Sequence, residues 1–297
     1  MKKILVIGSA NMDLTIHTDR MPKLGETVTG RDFSLNCGGK GANQAVAAAK
    51  LGGNVSFAGA VGNDPYGKTL LNNFEKNKIE FSGIITEKVS TGTASITVVD
   101  GDNFIILNEG ANGLMSVDAV EEKADLIKKA DYLIMQLEIP VETVVRAAEI
   151  AKSGGTKTVI NPAPYKEIPE KLFALTDIMI PNEYEAELLT GIAIKNKAAA
   201  ENAVKAIRRK GVERVIITLG DKGCVYNDGE EIFDCPAVKT TVVDTTSAGD
   251  TFIGALCVKL SGGENIHDAV NYAVKAAAIT VSRKGASASI PYANEIK

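Results

Sequence analysis

The feature that most constrains this chain is a rhythm of short, almost unbroken apolar runs, each followed by a helical pattern. The runs are "KILVIG" (3–8), "VSFAGAVG" (55–62), "DYLIMQLE" (131–138), "TKTVINPAP" (156–164), "DIMIPNE" (177–183) and "RVIITLG" (214–220). A strand buried on one face alternates apolar and polar residues, whereas a strand buried on both faces reads as a continuous apolar run. Runs of this length alternating with helices therefore indicate a mostly parallel sheet with helices on both faces. The fold class is α/β. A length of 297 residues with 45% hydrophobic and 24% charged residues fits one large domain or two small ones.

Two regions break the rhythm. Residues 14–37 and 91–110 carry alternating patterns, as in "ASITVVDGDNFIIL", where Asp100–Gly101 has the composition of a hairpin turn. Strands with one polar face belong to an antiparallel sheet exposed on one side. We expect these segments to form a small β-sheet that projects from the α/β core as a lid. Neither an internal repeat nor a low-complexity linker interrupts residues 1–297, so the expectation is one domain.

Bulk properties exclude several classes of function. A formal net charge of −4 argues against a nucleic-acid binder. No apolar run approaches the roughly 18 residues of a membrane span, and "MKKILVIGSANMD" turns polar too soon for a signal peptide. Cys37, Cys224, Cys235 and Cys257 lack CxxC spacing and are expected as free thiols in a reducing cytoplasm. With His17 and His267 the only histidines, acid–base chemistry should fall to carboxylates or lysine.

Polar residues gather where the apolar runs end: Asn11 and Asp13, Asn63 and Asp64, Glu138, Asn161, Asn182 and Glu185, Thr218. One Asn after a strand is ordinarily a turn residue or a helix cap. Their recurrence at nearly every strand end points to a site, because open parallel sheets bind ligands beyond the carboxyl ends of their strands.

Four motifs carry the chemistry. In "NCGGKGANQAVAAAKLGG" (36–53), Gly38, Gly39 and Gly41 let a ligand approach a helix start, and Lys40 and Asn43 add donors. A plain strand-to-helix turn would look similar; a Walker A loop and a GxGxxG fingerprint are both absent. In "VVDTTSAGDTFIGALCVKL" (242–260), small residues open an apolar helix near Ala248. Their free N–H groups and the helix dipole make an anion hole of residues 247–250. Asp250 is either a first-turn carboxylate favoured by that dipole or a general base for an incoming hydroxyl. In "PNEYEAELLTG" (181–191), Asn182 and Glu185 either cap a helix or help hold Mg²⁺ through water. "TLGDKGC" (218–224) is a plain hairpin or a nucleotide-contacting loop.

Together these stretches resemble the ribokinase family of sugar and nucleoside kinases, which share the phosphofructokinase-B-type fold. The resemblance runs from "GSANMD" through "GGKGANQAVAAAKLG", "MQLE", "NPAP", "PNEYEAELLTG", "TLGDKG" and "DTTSAGDTF" to "SRKGAS", nearly the whole chain. It implies transfer of the ATP γ-phosphoryl to the 5-hydroxyl of D-ribose. Asn11, Asp13, Gly39, Lys40, Asn43 and Glu138 would hold the sugar. Asp250 would be the base, with the N–H groups of Ser247, Ala248 and Gly249 as the anion hole. Asn182, Thr218, Gly220 and Gly223 would line the ATP site, and Glu185 would help place Mg²⁺. A monovalent-cation (K⁺) site would fall on Asp244, Thr246, Thr280, Arg283, Gly285 and Ser289, and the lid would form a homodimer.

Ser247 departs from the Gly or Ala usual before "AGD", and the sequence closes on "IPYANEIK", so a C-terminal helix is expected to be short or missing. The alternative acceptors are 2-deoxyribose, another small sugar or a nucleoside, the last disfavoured by only 5% aromatics and no Trp. Two other classes remain: a non-catalytic sugar or nucleotide sensor, and a dehydrogenase, which the missing glycine fingerprint opposes.

Overall fold

A computed structural model describes residues 2–99 and 102–297; the expected Asp100–Gly101 turn lies outside the described residues. In chain order the strands are β1 (Lys3–Ile7), β2 (Asn11–His17), β3 (Arg31–Gly38), β4 (Asn54–Ala58), β5 (Ala60–Gly62), β6 (Glu80–Phe81), β7 (Ile84–Thr86), β8 (Gly92–Val99) and β9 (Asp102–Asn108). The later strands are β10 (Tyr132–Met135), β11 (Lys157–Ile160), β12 (Ile178–Met179), β13 (Arg214–Thr218), β14 (Cys224–Asp228) and β15 (Glu231–Cys235). The helices are α1 (Lys40–Lys50), α2 (Pro65–Lys76), α3 (Val117–Glu121), α4 (Ala124–Lys128), α5 (Val141–Gly154), α6 (Glu170–Ala174), α7 (Glu183–Thr190), α8 (Lys197–Arg209), α9 (Ala248–Ser261) and α10 (Ile266–Val281).

Among the described residues the main sheet has nine strands in the order β15-β14-β13-β12-β11-β10-β1-β4-β6. Every pairing from β13 to β6 is parallel, and the β13–β14–β15 edge is antiparallel. Alternate residues of one strand feed opposite cores, which is why the runs look unbroken in sequence. Ile4 and Val6 pack with α1, α9 and α10, while Leu5 and Ile7 pack with α5 and α8. The expected run 55–62 divides at Gly59. Its first part, β4, stays in the main sheet, and β5 pairs with β7 in a separate two-stranded sheet.

The alternating segments form a second, four-stranded sheet, β3-β2-β8-β9. It differs from the expectation in two respects. The β2–β8 pair is parallel, because the intervening chain passes through α1 and α2 and returns in the same direction. Nor is its exposed side polar: Phe104 and Ile106 of β9 share one face with Phe33 and Leu35 of β3, all four exposed, and Ile105 and Leu107 are exposed on the other face. Among the described residues, α10 is followed by the short helical turn Ala293–Glu295.

Candidate active site

The N-termini of α1 and α9 meet beyond the carboxyl ends of β1, β10, β11 and β12. α1 starts at a glycine turn because nothing larger fits. Gly39 has φ +88°, and a methyl group there would lie 2.7 Å from the Asn11 backbone nitrogen. A methyl on Gly38 would lie 2.1 Å from Asp13 Oδ2. The two glycines thus press α1 against the first residues of β2, so that Asn11, Asp13, Lys40 and Asn43 come together.

α9 supplies the other half. Ser247, its N-cap, has φ +61° and makes no side-chain capping bond; the Ala248 N–H turns back to the Thr245 carbonyl at 3.2 Å, so the N–H groups of Gly249 and Asp250 are the ones that stay free in the first turn. A methyl on Gly249 would meet nothing within 4 Å, which leaves open space at this end. Asp250 is buried in that first turn. Its Oδ1 accepts from Gln44 Nε2 at 2.9 Å and its Oδ2 from Asn43 Nδ2 at 3.3 Å.

Several charges share this small volume. Burial pushes the Asp250 carboxyl above the usual carboxylate range, against the Lys40 charge and the Gln44 donor, and Glu138 pushes it further up. Asp13 is pushed up to about 7 by burial and by the charges of Glu138 and Asp250, so its proton is in play near neutrality. Burial acts to lower the Lys40 ammonium, but Asp250, Glu138 and Glu185 outweigh it and hold the lysine above its ordinary value. Lys40 is therefore a stable cation among carboxylates. Glu138 accepts from Ser9 Oγ and from the Lys40 backbone N–H, which ties the end of β10 to the start of α1.

The expected nucleotide residues form a second group. Thr218 pairs with Asn182 in an isolated bridge, and the loop bearing Gly220 (φ +57°) and Gly223 (φ +93°) is the hairpin between β13 and β14. Asn182 and Glu185 make a full capping box for α7: Asn182 Oδ1 accepts from the Glu185 N–H at 2.8 Å, and Glu185 Oε2 accepts from the Asn182 N–H at 2.9 Å. Burial raises the Glu185 carboxyl, opposed by that Asn182 bond and by Lys40, with Asp250 adding to the rise.

The expected cation residues come together in part. Asp244 accepts from the N–H of Thr246 and that of Gly285, each at 2.9 Å, and so joins the two segments. Burial acts to raise Asp244, but these donors and Lys284 hold it below the usual range. The remaining side chains turn elsewhere. Thr280 Oγ1 meets Thr251 Oγ1 at 2.9 Å, Arg283 pairs with Glu295 at 2.6 Å, and Ser289 Oγ donates to the Ala286 carbonyl at 2.8 Å.

Four contributors escaped the sequence reading: Ser9, Gln44, Asn112 and Gln136. Asn112 Nδ2 donates to Asn11 Oδ1 at 2.7 Å, and its own Oδ1 accepts from the Ala10 N–H at 2.9 Å. The available signal was a fully polar amide inside an apolar stretch, as with Gln44 among the alanines of α1 and Gln136 in "LIMQL".

Free helix N–H groups beside a buried carboxylate and a charged lysine suit transfer of an anionic group to a neutral alcohol. Fold and site together define a kinase of small metabolites. The model of the pfkB family of carbohydrate kinases matches residues 1–293, and the chain belongs to that family. It is 40% identical over 299 residues to the ribokinase of Lactococcus lactis subsp. lactis, covering 100% of this chain and 96% of that protein. The ribokinase of Arabidopsis thaliana, solved in complex with ribose and ATP, superimposes with a TM-score of 0.94 at 31% identity, covering 99% and 97% of the two chains. A deoxyribokinase of Salmonella typhi is 36% identical over 293 residues, 97% of this chain and 95% of that one. The chain is an ATP-dependent carbohydrate kinase.

Proposed function

We propose that the chain phosphorylates D-ribose at its 5-hydroxyl with ATP, and that Asp250 is the general base. The observation that carries this reading is the placement of Asp250: buried in the first turn of α9, within hydrogen-bond reach of Asn43, and next to the free N–H groups of that turn. Asn11, Asp13, Gly39, Lys40, Asn43 and Glu138 hold the sugar hydroxyls. Asn43 Oδ1 supports that role, being a buried acceptor without a protein partner. In the transfer the hydroxyl O–H bond breaks and its proton passes to Asp250. The sugar oxygen bonds to the γ-phosphorus, and the bond to the bridging oxygen breaks with its electron pair leaving on ADP. The N–H groups of residues 247–250 and Lys40 stabilise the charge that spreads over the moving phosphoryl oxygens.

Asn182, Thr218, Gly220 and Gly223 line the nucleotide. Glu185 keeps one carboxylate charge near the phosphates while both of its oxygens take bonds from Asn182, which fits Mg²⁺ held through water rather than directly. Mg²⁺ held near Glu185 would neutralise phosphate charge. Asp244, Thr246, Thr280, Arg283, Gly285 and Ser289 would hold K⁺ mostly through backbone carbonyls, the hard oxygen type that suits it, and a cation held there would supply positive potential beside the anion hole.

Residues 1–297 act as one domain in which the four-stranded sheet serves as a lid and as the homodimer surface. Its exposed apolar row of Phe104, Ile105, Ile106 and Leu107 supports this. The reading places the enzyme in the cytoplasm, in keeping with four free cysteines; no helix among the described residues is long and apolar enough to cross a membrane.

The similarity to a deoxyribokinase favours 2-deoxyribose as the second acceptor. Asp250→Asn is expected to cut kcat by about 10²–10⁴-fold, the usual worth of a general base, while ATP affinity measured by calorimetry stays near the parent value. Near-parent turnover in that variant would remove Asp250 from the role. A coupled ADP-release assay over a panel of pentoses, with and without K⁺, tests the acceptor and the cation.

A further inference from the structure

Gln44 lies on α1 with 0% of its surface exposed, and its whole amide is engaged. Nε2 donates to Asp250 Oδ1 at 2.9 Å and to Asn161 Oδ1 at 3.2 Å, while Oε1 accepts from Gln136 Nε2 at 2.6 Å. Asn161 in turn donates from Nδ2 to the Ile180 carbonyl at 2.9 Å. A carbonyl only accepts, so this chain of bonds has one direction. The Ile180 carbonyl fixes the Asn161 amide, which turns the Gln44 nitrogen toward Asp250, and Gln136 locks the far end. Gln136 is also fully buried, and its Oε1 rests so close to Gly8 that a methyl there would come within 2.0 Å.

An amide buried as deeply as that of Gln44 costs more than an apolar filling unless its bonds are used. A carboxylate on a short stem, by contrast, has a soft terminal torsion and needs an outside partner to hold its rotation. We propose that Gln44, clamped by Gln136 and Asn161, is a positioning residue for phosphoryl transfer. It fixes the Asp250 carboxylate, reserves Oδ1 as an acceptor, and leaves Oδ2 on the Asn43 side to take the hydroxyl proton. The inference rests on the reading of Asp250 as the base.

The charges around Asp250 give the clamp a second task. Lys40 on α1 favours the ionised carboxylate; Glu138 after β10, Asp13 on β2 and Glu185 on α7 all oppose it, as does burial. The Gln44 N–H stands with Lys40, because a donor to the charged form favours that form. Removing it therefore moves the protonation of Asp250 to higher pH, and the acidic limb of the kcat profile moves with it.

The test is Gln44→Met, which keeps volume and removes both amide functions, with Gln136→Met as a variant that never touches Asp250. Each is measured for kcat and ribose KM across pH, with thermal unfolding in parallel. Gln44→Met is expected to lower kcat about ten- to a hundredfold, the worth of one bond to a charged group. Its acidic limb should lie at higher pH, with ribose KM changed less than threefold. Gln136→Met should show the same limb movement and a smaller loss, and it carries the test if Gln44→Met fails to fold. An unmoved acidic limb in the folded variants, whether kcat is near parental or uniformly reduced at every pH, overturns the proposal. If Asp250→Asn is inactive while the limb stays in place, only the clamp falls; if Asp250→Asn retains turnover, the base assignment falls and the clamp with it.

Discussion

Ser247 carries a physical cost that the structure makes visible. Its φ of +61° is a conformation that an L-residue with a side chain enters at about 1–2 kcal/mol. Its Oγ is also buried without a hydrogen-bond partner, worth roughly another 1–3 kcal/mol. Glycine relieves both but adds about 0.5–1 kcal/mol of backbone entropy. Ser247→Gly should therefore stabilise the protein by roughly 1 kcal/mol or more and raise its thermal midpoint by about 2–4 °C. A lower midpoint by calorimetry would show that the hydroxyl has a use in the folded protein. Asp13 teaches a related lesson: the sequence marks it as a polar strand-end residue, but burial first, and then the charges of Glu138 and Asp250 from distant parts of the chain, push its carboxyl up to about 7.

Elements decide how the two halves of the site meet. α1 and α9 each carry small residues at their starts, and α1 approaches β2 as closely as it does because Gly39 has no side chain. Gly39→Ala would force an L-residue to φ +88° and a methyl into the Asn11 backbone. The expected cost is about 1–3 kcal/mol of stability. Because Asn11 and Lys40 both move, ribose KM should rise at least about tenfold, with ATP affinity nearly unchanged, as initial-rate kinetics and nucleotide titration would show. Unchanged ribose KM would mean that the turn tolerates the shift. At α7 the same scale explains an ambiguity in the sequence. Helix capping and phosphate-site chemistry both want Asn and an acid at a helix start, so "PNEYE" was legible as important without being legible in role. The structure shows the capping box.

At the scale of the whole molecule the open question is what covers the second sheet. β9 presents Phe104, Ile105, Ile106 and Leu107 to solvent, and a strand edge with four exposed apolar residues invites a partner. In the proposed homodimer, Ile106→Glu places a charge in that surface and should convert dimer to monomer in sedimentation experiments at micromolar protein. A parent protein that sediments as a monomer would overturn the lid-dimer reading. The α/β class, the order of the motifs and the two helix starts were all determined by the sequence alone, because unbroken apolar runs and small-residue turns are local patterns with few physical meanings. The parallel β2–β8 pairing, the apolar outer face of the lid sheet and the division at Gly59 were decided by the tertiary structure. So was the amide chain from Gln136 through Gln44 to Asp250. Each depends on which distant segments become neighbours, and residues separated by up to 207 positions share a bond in this site. Spacing along one chain carries no record of such pairings.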